Sequence, residues 1–107
     1  MLTFTEKLTG RPASEFGTKL AEKFSLFLPQ KTVQDGNISR KQLDNVLAHI
    51  LGEAREYSFS NKLGLVNRSR LTNAFRWKLK EYGYKKDLIE AAVYDVIIAT
   101  QKTKEKN

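Results

Sequence analysis

Apolar side chains recur at helical spacing in four stretches of this 107-residue chain, and the polar stretches between them carry turn signals. Phe16, Leu20, Phe24 and Phe27 stand four, four and three residues apart, all within about 80° on a helical wheel, which predicts an amphipathic helix. Ser14 is its expected N-cap, after a lead-in over 1–12 closed by Gly10-Arg11-Pro12. Gly17 lies inside this helix and weakens it by about 1 kcal/mol relative to alanine. Pro29 stops it, since the residue before a proline is pushed out of the α region. Residues 29–37 read as a loop with a turn at Asp35-Gly36.

Ser39 with Gln42 three residues on is a capping-box pattern. Leu43, Val46, Leu47, Ile50, Leu51 and Ala54 then predict a second helix, ending near Tyr57. From Ser58 to Val66 the pattern is less regular. Asn61–Leu63 fits a short helical turn, with Gly64 as the left-handed residue after it. A third helix runs from an Asn67 cap to Tyr82, with Leu71, Ala74, Phe75, Leu79 and Tyr82 inward and Gly83 as its stop. In Asp87–Thr100 only Glu90 and Asp95 interrupt the apolar surface, which as a helix would be central and surrounded. Val93–Ala99 also suits a buried strand. Helix is the preferred reading, because the stretch is 14 residues long without a turn and has no strand to pair with. The expected fold is an all-α, single-domain bundle over 1–107, with four main helices, a short helical turn and a polar tail at 101–107.

Charge changes the picture more than composition does. Arg55–Lys86 holds nine Lys/Arg against two acids, whereas the segments on either side are close to neutral. The formal net charge of +7 therefore sits in this one segment, and localised positive charge points to a polyanion, most often nucleic acid. On the third helix the outward arc collects Ser69, Arg70, Thr72, Asn73, Arg76, Trp77, Lys80 and Glu81. The arginines and lysine suit phosphates, Ser69 and Asn73 add neutral donors, and the helix start near Asn67 adds free backbone N–H groups. A base can stack on Trp77; the alternative use of that ring is to cover an apolar neighbour or a partner chain. Lys62, Lys85 and Lys86 extend the candidate patch. Lys78 falls inside the apolar arc and is expected to snorkel past Phe75 or Tyr82, and Arg68 to serve the helix start.

Catalysis finds little support. His49 is the only histidine and lies opposite its helix's apolar stripe, and there is no cysteine. No metal-ligand spacing, glycine-rich phosphate loop or carboxylate pair is present, so no metal, cofactor or enzymatic role is expected. The N-terminus has no apolar signal region and no run is long enough to span a bilayer, which predicts a soluble, cytoplasmic protein with no membrane partner.

A small, cysteine-free, basic helical bundle of this kind, with Ser69–Lys80, Lys85 and Lys86 as its strand-facing surface, resembles the small subunit of CRISPR effector complexes of the Cascade and type III kinds. The resemblance lies in size, helicity and charge across the whole domain. It implies a non-catalytic antiviral-defence subunit that contacts other subunits and helps hold the target or displaced strand, single-stranded DNA or RNA. Two alternatives stand beside it. FSNKLGLVNRSRLTNAFRWKLKEYGY has the order of a helix-turn-helix, although its apolar positions fall one residue late. A protein-interaction module with an acidic partner would use the same Trp and Arg side chains.

Overall fold

The structure is a computed structural model that describes residues 11–34, 36 and 38–101. Among the described residues five helices follow one another: α1 (Arg11–Phe27), α2 (Gln30–Gln34), α3 (Arg40–Ser60), α4 (Leu65–Glu81) and α5 (Lys86–Gln101). No strand occurs among the described residues, so the protein is all-α, and residues 87–100 are helical. No described helix is long and apolar enough to cross a membrane.

Arg11 and Pro12 are already helical, so Ser14 lies within α1 and does not cap it. The fixed φ of Pro12 suits a helix as well as a loop, which is why the sequence misplaces this boundary. The rest of the expected lead-in, residues 1–10, lies outside the described residues, as does the tail beyond Gln101. The buried line on α1 is Ala13, Gly17, Leu20, Ala21 and Phe24, whereas Phe27 is exposed. Phe16 sits beside that line and stacks on Tyr57, with ring centroids 3.9 Å apart.

Pro29 ends α1 as expected, but the stretch after it is not all loop. The Val33 N–H donates to the Pro29 carbonyl at 3.1 Å, and the Gln30 side chain donates to the Gly83 carbonyl at 3.2 Å. That tertiary anchor, with Val33 packed on the core, stabilises the five-residue α2 where local propensity alone does not. Gly36 takes φ 74°, as the expected turn requires; Asp35 lies outside the described residues.

The capping box is formed. Ser39 Oγ accepts from the Gln42 N–H at 3.0 Å, and Gln42 Oε1 accepts from the Ser39 N–H at 2.9 Å. α3 then runs three residues beyond Tyr57, to Ser60. Buried Ser58 ties this extension to α5 by donating to the Thr100 carbonyl at 2.9 Å. The helix closes with Leu63 N–H donating to Ser58 and Lys62 N–H to Phe59, and Lys62 itself is left-handed at φ 50°. The left-handed residue is thus Lys62, not Gly64, and Asn61–Leu63 is a turn without a helix of its own. Gly83 closes α4 by the same pair of bonds, with φ 88°.

Gly64, extended at ψ −179°, is the N-cap of α4 and has no side chain to cap with. Asn67 is therefore the third residue of the helix and not its cap. Four long helices close a ring in which α1 packs on α4, α4 on α5, α5 on α3 and α3 on α1. Phe16–Tyr57 with Lys23–Glu53 sets α1 antiparallel to α3, and Leu65 beside Thr100 with Arg76–Glu90 sets α4 antiparallel to α5. Gly17 lies against Leu71 and the Glu22 charge acts on Lys78, so α1 and α4 run the same way. Phe24, Phe75, Leu20, Leu28, Ile50, Leu71, Leu79, Val93 and Val96 fill the centre. α5 is less enclosed than its sequence suggests. It buries Ile89, Ala92, Val93, Val96 and Ala99 against α3 and α4, but Tyr94 on its far side is 63% exposed.

The tightest approach is between α1 and α4. A Cβ on Gly17 would lie 3.0 Å from the Leu71 carbonyl carbon and 3.1 Å from the Ala74 Cβ, with the Leu71 oxygen closer still. Gly17, a cost to helix propensity, is what lets these two backbones meet.

Candidate nucleic-acid interface

α4 is covered on two flanks, by α1 and by α5, and its remaining face carries the basic groups. Leu71, Phe75 and Leu79 are fully buried as expected, while Ala74 and Tyr82 are half-buried at the edge. Thr72 departs from expectation. It is 5% exposed and its hydroxyl donates to the Arg68 carbonyl at 2.8 Å. With two neighbours, the buried arc of α4 is wider than one apolar stripe implies, and Thr72 falls on the α5 side of it.

Ser69, Asn73, Trp77, Lys80 and Glu81 are exposed, and Arg70 and Arg76 are partly so. Three shallow depressions run together here. One, of about 200 Å³, lies between α4 and the end of α5 and is lined by Arg68, Ser69, Asn73 and Arg76 over Leu65, Ile97 and Thr100. A second, opening toward α1, is lined by Ser14, Arg70, Asn73, Arg76 and Trp77. The third, of about 290 Å³, is lined by Arg76, Lys80 and Lys86 over Tyr84 and Ile89, with Glu90 on its edge. Arg76 borders all three.

The structure thus brings together Ser69, Arg70, Asn73, Arg76, Trp77, Lys80 and Lys86. Lys62 stands in the α3–α4 turn and Asn67 in the first turn of α4, and neither lines these depressions. Lys85 borders a separate groove with Gln30, Val33 and Leu88, because the turn after Gly83 points it toward α2 while Lys86 begins α5.

Arg76 is held in place. Its Nη1 donates to Asn73 Oδ1 at 2.9 Å and its Nε to Glu90 Oε2 at 3.3 Å. Trp77 is 62% exposed, and the Lys80 ammonium sits 5.5 Å from its ring centroid. The ring is therefore open on the surface rather than packed within the domain. Lys78 snorkels as its wheel position requires, 5.2 Å from the Tyr82 ring and 3.2 Å from Glu81. The hydrogen bond and charge of Glu81 raise its pKa. Arg68 serves the helix start, donating to the Leu63 carbonyl at 3.4 Å. His49 is exposed on α3, pairs with Glu53 at 2.9 Å and meets Phe27 edge-on.

Sequence reasoning missed Glu90 and Ser14 as members of this surface. Glu90 registered only as an interruption of an apolar run, and nothing local links it to a residue 14 positions earlier.

No protein-family model, no curated protein and no solved structure matches the chain.

Proposed function

We propose that the exposed face of α4 binds the phosphate backbone of single-stranded nucleic acid without reading its sequence, and that the protein does so as a non-catalytic subunit of a larger ribonucleoprotein assembly. The small helical subunit of a CRISPR effector complex, contacting the target or displaced strand, is the form of this role we favour. The observation that carries the reading is the continuous surface around Arg76. Seven of the ten residues proposed from sequence border it, and six of them bear donors or charges beside an open tryptophan ring. Arg70, Lys80 and Lys86 supply charge for phosphates, Ser69 and Asn73 supply neutral hydrogen bonds, and Trp77 supplies a stacking platform. A shallow, open surface with one aromatic ring suits an unpaired strand whose bases are free to stack.

The test is fluorescence polarisation against labelled oligouridine, oligothymidine and a mixed-sequence duplex between about 50 and 200 mM salt. The protein carrying Arg70→Glu, Arg76→Glu and Lys80→Glu runs beside the wild type. The expected result is binding to both single strands, a linear fall of log K with log salt, and loss in the triple variant. Tighter binding to the duplex would move the assignment to a DNA-binding regulator. Absence of binding in every lane, with the protein folded by circular dichroism, would move it to a protein-interaction module for an acidic partner.

A further inference from the structure

The basic face contains a carboxylate that works against it. Glu90, on the first turns of α5, reaches across to α4 and accepts from Arg76 Nε at 3.3 Å, on the edge of the depression that Lys80 and Lys86 also line. Asn73 takes a second donor of the same guanidinium at 2.9 Å, so Arg76 is oriented by one neutral and one anionic acceptor. A phosphate arriving among Arg76, Lys80 and Lys86 meets the Glu90 charge at the same place. We infer that Glu90 limits the affinity of this face by competing with phosphate for Arg76. The inference rests on the reading of the α4 face as a nucleic-acid surface and names the residue that sets its strength.

The pair is suited to being displaced. The side chains of Arg76 and Glu90 are 36% and 49% exposed, and an ion pair so wetted adds little to stability. Opening it therefore costs the fold little, and the guanidinium regains a donor in the planar arrangement that matches phosphate. An isolated phosphate gains one contact by displacing Glu90. A strand gains the Lys80 and Lys86 contacts as well, so the carboxylate discriminates against small anions in favour of polyanions.

The experiment compares wild type, Glu90→Gln, Arg76→Gln and the double variant, with Asp44→Asn as a control that removes one negative charge from α3, away from this face. Labelled oligouridine is titrated at several salt concentrations. Glu90→Gln is expected to bind roughly three- to tenfold tighter at about 50 mM salt, with a log–log salt slope steeper by about 0.7, the increment of one more phosphate on a single strand. Asp44→Asn changes little, and in the Arg76→Gln background the Glu90→Gln gain disappears. If wild type binds but Glu90→Gln gains no affinity, or gains equally without Arg76, the competition is overturned while the nucleic-acid reading stands. If neither wild type nor Glu90→Gln binds at any salt, both fall together.

Discussion

Two glycines inside helices of this protein are predicted to respond to the same substitution with opposite signs. An exposed interior glycine replaced by alanine gains about 1 kcal/mol of helix stability. Gly52, within α3, has nothing within 4 Å of an added Cβ, so Gly52→Ala is expected to yield that gain. Gly17 receives the same propensity gain but must place its methyl against the Leu71 carbonyl and the Ala74 side chain of α4. A flexible side chain would move aside; a helix backbone cannot, and the two helices must separate along their shared contact. Overpacking of this kind costs about 1–3 kcal/mol, and a backbone obstacle belongs at the upper end. Gly17→Ala is therefore expected to lose about 2 kcal/mol net. Urea unfolding followed by far-UV circular dichroism measures both. With a slope of about 1 kcal/mol per molar expected for a chain this small, the Gly17→Ala midpoint falls by about 2 M and that of Gly52→Ala rises by about 1 M. A Gly17→Ala protein as stable as wild type would refute the close approach of α1 and α4.

Tyr84 is 5% exposed, donates to the Leu28 carbonyl at 2.5 Å, and has its pKa pushed up by burial to about 12. Its raised folded-state value means the neutral form's stabilisation is complete below pH ~10 and lost as pH rises toward ~12, so the protein is expected to lose stability across that window. Tyr84→Phe should shift less across that window in alkaline titration, yet be about 1–2 kcal/mol less stable at neutral pH because the Leu28 carbonyl loses its donor. Ser39→Ala removes the capping-box acceptor and is expected to cost about 1 kcal/mol in urea unfolding. Trp77→Ala, at a residue 62% exposed, should leave the unfolding midpoint nearly unchanged but weaken oligouridine binding by about 1–3 kcal/mol in polarisation titrations.

What the sequence made legible was whatever depends on residues close together in the chain. The Ser39–Gln42 box, the stops at Pro29 and Gly83 and the inward line Leu71–Phe75–Leu79 are all local patterns, and each is present. Lys62 defeated the same logic, because the geometry that closes α3 fixes which residue turns left-handed, whereas sterics alone favour the nearby glycine. α2 depends on a Gln30 contact with Gly83, and the burial of Thr72 on a second neighbour beside α4; neither partner is adjacent in sequence. For the candidate site, the wheel separated Lys78 from the outward cations correctly, since that follows from helix periodicity. The pairing of Arg76 with Glu90 was beyond it, because the register of α5 against α4 is a product of core packing.

The parallel contact between α1 and α4 has a consequence for the nascent chain. On a ribosome the apolar side of α1 is made before α4, and the last buried residue of the helix it nests against, Leu79, is added only later. At about 5–20 residues per second the interval lasts several seconds. α3 emerges sooner and shields part of that side, through Tyr57 on Phe16 and Glu53 with Lys23, while the line centred on Gly17 waits. Translation arrested before α4 should leave a chain that retains chaperones, and release of α4 is the step at which it lets them go.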